Sequence, residues 1–200
     1  PEAPIEVLRD FLRVIDATPN LIWLLLTKRP QFIALRLEEA SHGTHGHSWT
    51  LADLPNVRLG VTVENQEQAN GRIPLLLATP CAGRFLSCEP LLGPVNLRLL
   101  RSGSNMSSLA LECGAHYESL PIDWVICGGE SGPSARPMHP DWARSLRDQC
   151  VSAGVPFFFK QWGDWAPAGY VNAETGNPML KLIFSSNETT LGGAAEGLTA

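Results

Sequence analysis

Short apolar runs recur along the chain, and each of them ends in charged or amide residues. The clearest is DWVICGGE at 123–130, in which an apolar stretch is followed by two glycines and Glu130. Apolar runs of this length, bounded by turn residues, are typical of strands that are buried on both faces of a sheet. The pattern predicts five strands, at 21–26, 57–63, 84–87, 123–128 and 155–159.

Helical patterns follow three of these runs. The segment 140–153 has Pro140 in its first turn, Asp141 near its positive end and Gly154 where a C-terminal cap is expected. Pro74 marks a point at which a second helix would break or restart. The predicted helices lie near 30–40, 66–78 and 140–153. Strands that alternate with helices indicate βαβ units, and hence parallel strands joined by right-handed crossovers.

The polar residues at the strand ends favour one parallel architecture over another. An open doubly wound sheet concentrates such residues at its switch point, whereas a β/α barrel brings the end of every strand to one mouth. A complete barrel has eight strands and about 250 residues, and this chain has 200 residues and five predicted strands. We therefore predict an α/β fold, a partial (β/α) barrel of mainly parallel strands.

Composition and charge narrow the class of protein further. With 44% hydrophobic residues the chain is able to bury a core, and its net charge of −5 gives no global signature of nucleic-acid binding, although a local basic patch stays open. No apolar run approaches the roughly 20 residues that span a bilayer, so we expect a cytoplasmic protein with no membrane partner. The predicted organisation is a barrel domain at 1–170, a loop insertion at 98–120 and a peripheral tail at 171–200.

The cysteines and histidines carry no metal-site pattern. Five dispersed cysteines, without a CxxC spacing, are interpreted as reduced thiols. They are Cys81, Cys88, Cys113, Cys127 and Cys150. The set His42, His45 and His47 lies in a glycine-containing segment that reads as a loop, with adventitious metal binding as the alternative. We predict no metal site on this chain.

Three carboxylates and one lysine are the candidate catalytic residues. Glu64, Glu89, Glu130 and Lys160 each follow or end a predicted strand, so a barrel would bring them to a shared mouth. There they would shift one another's pKa values and bind an amine or hydroxyl group of a ligand. The structural alternative is that the glutamates stabilise helix N-termini or accept hydrogen bonds in turns.

Seven further residues are candidates for ligand binding. They are Lys28, Arg29, Asn65, Arg136, His139, Gln161 and Trp162. Lys28 and Arg29 would bind a carboxylate or phosphate, or else remain solvated. His139 would complete the site, or else cap the helix that begins at Pro140. Trp162 would stack on a planar ligand group, or else close the end of the barrel.

Five ordered motifs, within roughly residues 5 to 167, resemble those of a known family. The motifs are LLTKRP, GVTVENQEQA, RFLSCEPLLGPV, DWVICGGESGPSARPMHPDW and GVPFFFKQWG. They are similar to the phage-type Gp37/Gp68 family, an uncharacterised group that resembles radical S-adenosylmethionine enzymes. The resemblance implies a radical-SAM-like partial barrel and, for the complete protein, S-adenosylmethionine and a [4Fe-4S] cluster bound by an upstream cysteine cluster.

The chain departs from that family in three ways. It has no CxxxCxxC motif, its ending lacks the family's basic tail, and the segment HGTHGHSW is foreign to the pattern. Because the chain begins with Pro1, we interpret it as the larger, C-terminal part of such a protein, without a cofactor of its own and inactive alone. Its substrate would be an unknown small molecule, nucleotide or nucleic acid. The alternative is a cluster-free barrel that serves as a binding or interaction module.

Overall fold

The computed structural model describes residues 3–41, 49–97 and 122–167, together with the backbone of 180–182. Five strands form one sheet in which neighbours along the chain are neighbours in space. The strands are β1 (Trp23–Thr27), β2 (Val57–Thr62), β3 (Arg84–Cys88), β4 (Trp124–Gly128) and β5 (Phe157–Gln161). All four pairings are parallel, so the predicted parallel sheet is confirmed and the architecture is consistent with a partial β/α fold.

Two strands lie slightly later in the chain than predicted. β1 begins at Trp23, because the amide of Leu21 donates to the carbonyl of Thr18 in a turn and Trp23 is the first residue paired with β2. β5 extends to Gln161, because a register shift between Cys127 and Gly128 brings Gln161 opposite Gly128. The strand therefore includes two polar residues that the pattern placed beyond its end.

In the described ranges, four α-helices accompany the sheet. They are α1 (Ile5–Asp16), α2 (Ile33–Ser41), α3 (Gln66–Ala78) and α4 (Pro140–Ala153), with short 3-10 turns at Pro30–Phe32 and Leu51–Asp53. α4 ends at Gly154, whose φ of 70° is the left-handed conformation that the predicted cap requires. α3 continues through Pro74 without the predicted break. The carbonyl that Pro74 leaves unpaired belongs to Asn70, which is exposed and accessible to water.

The main core lies between one face of the sheet and the helices. Val61, Leu86 and Val125 are Cα neighbours on β2, β3 and β4, and they are fully buried together with Ile73 of α3 and Leu146 of α4. These residues are aliphatic because strands under helices are sealed from water. The helix-covered face therefore supplies most of the hydrophobic stabilisation.

The opposite face of the sheet carries a row of aromatic rings. The rings of Phe85 and Trp124 lie 6.2 Å apart, and those of Trp124 and Phe158 lie 6.4 Å apart. The Phe85 ring covers Gly60, where any Cβ would collide with it. These rings occupy the middle of the face and leave its carboxyl end to polar residues.

A second, small parallel sheet pairs β6 (Trp165–Pro167) with β7 (Leu180–Leu182). The indole of Trp165 donates to the carbonyl of Ala135 at 2.6 Å and so attaches β6 to the loop that follows β4. The predicted insertion at 98–120, the histidine segment and the tail, apart from 180–182, lie outside the described residues. Within the described ranges, no helix is long and apolar enough to cross a membrane.

Candidate functional site at the carboxyl edge of the sheet

The carboxyl ends of the parallel strands form one edge, which we call the carboxyl edge. Lys28 follows β1 directly, Glu89 follows β3 directly, and Glu64 and Glu130 come two residues after β2 and β4. Lys160 is the penultimate residue of β5. Parallel strands bring their ends to the same side of a sheet, and the four predicted catalytic residues accordingly lie along this edge.

Glu64 lies between two cations. Its Oε1 is 2.8 Å from Nζ of Lys28, and its Oε2 is 2.7 Å from Nη1 of Arg72, which also donates to the carbonyl of Thr62. Burial raises the pKa of Glu64, but the hydrogen bond from Lys28 and the charges of both cations outweigh it, so the pKa is lowered overall. Glu64 is therefore an ionised, oriented group.

Glu89 crosses a neighbouring strand to reach its partners. It extends from the end of β3 past Gly128 of β4 to β5, where Nζ of Lys160 lies 3.0 Å from Oε1 and Nε2 of Gln161 donates to the same oxygen at 3.3 Å. A Cβ at position 128 would lie 3.1 Å from the Glu89 carboxyl carbon, so glycine there leaves room for the carboxylate. The register shift beside Gly128 allows both Lys160 and Gln161, consecutive in sequence, to meet Glu89.

Glu130 is held by a single arginine. The backbone N–H, Nε and Nη2 of Arg136 all donate to its carboxylate at 2.8 Å. These hydrogen bonds lower the pKa of Glu130 to about 2, and the charge of Lys28 contributes in the same direction. Lys28 follows β1 and Glu130 follows β4, so residues from strands that are not neighbours lie along the same edge.

The glycines around Glu130 serve close backbone packing. A side chain at Gly129 would collide with the carbonyl of Trp162, and one at Gly163 would collide with the carbonyl of Glu130. Gly163 also has a φ of 80°, which favours glycine. The backbone amide of Gly129 donates to the backbone carbonyl of Gln161, and the backbone amide of Asp164 donates to the backbone carbonyl of Glu130. The structure thus shows Gly129 packed on protein backbone.

In three ion pairs of the edge, the cation is more exposed to solvent than its carboxylate partner. The side chains of Lys28, Arg136 and Lys160 are 59%, 61% and 51% exposed, whereas those of their partners Glu64, Glu130 and Glu89 are 11%, 25% and 20% exposed. Carboxylates lie underneath and cations face solvent. On a chain of net charge −5, the carboxyl edge therefore presents a cationic outer layer.

The remaining predicted ligand-binding residues occupy structural positions. The side chain of Asn65 caps α3 by accepting from the amide of Gln68 at 3.1 Å. Nδ1 of His139 accepts from the amide of Asp141 and caps α4, which is the structural alternative for this residue. The ring of Trp162 packs on Phe159, with ring centroids 4.8 Å apart. Ligand contact by these three residues stays a prediction.

Arg29 lies apart from the ion pairs. Its side chain is exposed and lines an apolar cavity of about 320 Å³ between α1, α2 and β1, to which Phe11 and Ile33 contribute. Its backbone amide donates to Oγ1 of Thr27 at 2.9 Å, which fixes the turn after β1. The structure thus places Lys28 and Arg29, adjacent in sequence, in different surroundings.

Sequence reasoning missed several residues of the site. Arg72 is the largely buried partner of Glu64, with a side chain that is 16% exposed, and Oγ of Ser131 accepts from Gln161 at 3.3 Å. Arg72 was open to prediction, because it shares the helix face of Ala69, Ile73 and Leu76, where a charge requires a partner. Ser131 carries no comparable signal, since serine after glycine is usual in turns.

The described cysteines do not fit an iron–sulfur cluster. Cys81, Cys88, Cys127 and Cys150 are all buried, and no group of three or more potential metal ligands occurs in the ranges that the structure describes. Burial raises the thiol pKa of Cys127 to about 12 and that of Cys150 to about 11. A cluster requires thiolate ligands, whereas these side chains are protonated core groups. Cys113 lies outside the described residues.

Comparison with known proteins identifies a family but no function. No curated protein and no solved structure shows significant similarity to the chain. A family model described as "Protein of unknown function (DUF5131)" matches residues 1–195. The chain therefore belongs to the DUF5131 family of uncharacterised proteins.

Proposed function

We propose that the carboxyl edge is the ligand-binding site of a radical-SAM-like partial β/α barrel. The strand order supports the barrel, since β1 to β5 follow one another without the reversal that creates the switch point of a doubly wound sheet. The observation that carries the proposal is the gathering of Lys28, Glu64, Glu89, Glu130 and Lys160 from five successive strand ends along one edge.

S-adenosylmethionine is the candidate ligand implied by the resemblance to the Gp37/Gp68 family. Its amino group matches the carboxylates of the edge, and its carboxylate matches the outward lysine and arginine side chains. When bound, it would supply an electrophilic sulfonium centre or, with one electron from an external donor, would be cleaved at its C5′–S bond to methionine and a deoxyadenosyl radical. The Glu89–Lys160 pair and the Glu130–Arg136 pair would orient the ligand, because each is already held in place by protein contacts.

Radical chemistry is proposed only for a protein in which other residues supply the thiolates of a [4Fe-4S] cluster. The described cysteines are buried and protonated, so no step is assigned to them. The same observation favours a second candidate function, a cluster-free barrel that binds a small polar ligand or a partner without redox chemistry. Both candidates place the ligand at the carboxyl edge.

Calorimetric titration of the 200-residue chain with S-adenosylmethionine tests the proposal. The expected result is saturable binding with one ligand per chain. S-adenosylhomocysteine, which keeps the amino acid group and lacks the sulfonium charge, serves as the comparison ligand and should bind in competition. Absence of heat with both ligands, in a protein shown to be folded by circular dichroism, would remove S-adenosylmethionine as the ligand.

A further inference from the structure

Two hydroxyl groups lie side by side just below the carboxyl edge. Thr62 and Ser87 end or nearly end β2 and β3, and they are Cα partners in the register of those strands. By strand alternation they share the face of Phe85 and Gly60, opposite the helix-covered core. Both residues are almost completely buried, with 3% and 6% exposure.

These hydroxyls have no hydrogen-bond partner among the described residues. Within the described segments, neither Oγ1 of Thr62 nor Oγ of Ser87 makes a hydrogen bond, although the backbone carbonyls of both residues are engaged, by Arg72 and by the amide of Val63. Neither oxygen is among the fully buried side-chain atoms that lack a partner in the described residues, so both hydroxyls are accessible to solvent. Two adjacent, unpartnered donors therefore mark a place where a ligand oxygen would be stabilised.

Cation–carboxylate pairs stand at the strand ends on both sides of these hydroxyls. The Lys28–Glu64 pair stands at the end of β1 and β2, and the Glu130–Arg136 pair stands at the end of β4, so the end of β3 lies between them. In each pair the carboxylate is the less exposed partner and the cation faces outward. Each carboxylate is paired with its own cation and so restricts the position of that cation.

Two hydroxyl donors near paired cations match the chemistry of a phosphate group. A phosphate has several oxygens that accept hydrogen bonds, and it carries up to two negative charges, so it engages hydroxyls below and cations beside it at the same time. A single carboxylate has two oxygens and one charge, which use fewer of these groups. The fixed geometry favours the ligand with more acceptor oxygens.

From this arrangement we infer that the carboxyl edge contains a phosphate subsite, formed by the hydroxyls of Thr62 and Ser87 with Lys28 and Arg136. The substrate of the proposed ligand-binding site therefore belongs to the phosphate-bearing class. This inference rests on the location of the site under Proposed function, but it does not depend on S-adenosylmethionine as the ligand. It assigns a donor function to two residues that the ion-pair network leaves unused.

Inorganic pyrophosphate is the probe, titrated calorimetrically into the chain at low ionic strength. Wild type should show saturable binding. The double variant Thr62→Val and Ser87→Ala keeps the side-chain volumes nearly constant, and its affinity should fall by about tenfold or more, since two hydrogen bonds to a charged group are lost. Lys28→Gln should weaken binding to a similar extent, and Glu64 retains Arg72 in that variant. Melting curves of all variants establish that the fold is intact.

Arg147→Gln is the matched control, because Arg147 is an exposed cation on α4 that is paired with Asp148. It should bind pyrophosphate as wild type does. Wild-type affinity in the hydroxyl double variant would contradict the subsite, even if Lys28→Gln weakened binding, because the attraction would then be diffuse. No binding of pyrophosphate at millimolar concentration would also contradict it. If S-adenosylmethionine still bound in either case, the proposed ligand site would stand and the phosphate inference alone would fall.

Discussion

Glu89 and Lys160 are separated by 71 residues, and their side chains form an ion pair that passes over Gly128 of the intervening strand. The pair joins the ends of β3 and β5 across β4. It exists because β4 ends in a residue without a side chain and because the register shifts at that point. Gly128, at the end of the apolar run of β4, thus leaves room for the Glu89 carboxylate, which follows β3.

Alanine at Gly128 and at Gly129 should differ in cost, because Gly128 approaches a flexible side chain and Gly129 approaches backbone. Gly128→Ala pushes against the flexible Glu89 carboxylate and should lower the free energy of unfolding by about 1 kcal/mol. Gly129→Ala meets the backbone carbonyl of Trp162, which is unable to move aside, and should cost about 3 kcal/mol or more. Urea denaturation measures both values.

Gly71→Ala provides the control for that series. Gly71 lies within α3, and a Cβ there would meet no atom within 4 Å. Alanine should therefore stabilise the protein by about 0.5–1 kcal/mol, through helix propensity and loss of unfolded-state entropy. Equal effects of alanine at 129 and 71 would show that the described backbone approach is incorrect.

The ionisation of Glu130 should report its contact with Arg136. Its folded pKa of about 2 lies below its ordinary value, so the pair stabilises the fold above the unfolded pKa and loses this contribution as the pH falls from about 4.5 towards 2. A carbon-detected NMR titration should give a midpoint near 2 in wild type. In Arg136→Gln the midpoint should rise towards 4, and an unchanged midpoint would show that Arg136 is not the cause.

The two cations of Glu64 should differ in their effect on stability. Arg72 is 16% exposed, and its loss leaves a buried carboxylate with one exposed partner, so Arg72→Met should cost about 2–4 kcal/mol. Lys28 is exposed, and Lys28→Met should cost about 1 kcal/mol or less. Chemical denaturation of the two variants under the same conditions tests the order. A larger loss for Lys28→Met would contradict it.

Iron–sulfur reconstitution tests the interpretation of the thiols. The chain, treated anaerobically with iron and sulfide, should not develop the broad thiolate-to-iron absorption of a [4Fe-4S] cluster, because Cys81, Cys88, Cys127 and Cys150 are buried. A peptide with a CxxxCxxC motif, treated in parallel, is the positive control for the chemistry. One cluster per chain would show that the cysteines had been misassigned.

Much of the fold could be predicted from local patterns. Apolar runs and helix caps such as Gly154 depend on nearby residues, and sequential βαβ units then place the strand ends together. Helix α1 was missed, although Leu8, Leu12 and Ile15 follow helical spacing, because it precedes the first strand and belongs to no βαβ unit within the sequence.

The side-chain contacts within the site were harder to predict from the sequence. The joint contact of Lys160 and Gln161 with Glu89 depends on a β-bulge, which no short motif specifies. The outward orientation of the cations depends on how deeply each partner is buried. The unpartnered hydroxyls of Thr62 and Ser87 become visible only when strand register and hydrogen bonds are both known.

The measurement that tests the central claim most directly is the affinity of Glu130→Gln for S-adenosylmethionine, paired with a thermal melt. Glutamine keeps the shape and removes the charge at the carboxyl edge, so we predict about a tenfold loss of affinity. The Tm should fall only slightly, because the Arg136 side chain is exposed and solvent-exposed ion pairs contribute little to stability. Asp148→Asn, on the exposed face of α4, is the control and should match wild type in both respects. A lowered Tm with unchanged affinity would make Glu130 a purely structural residue and would contradict the placement of the ligand site at this edge.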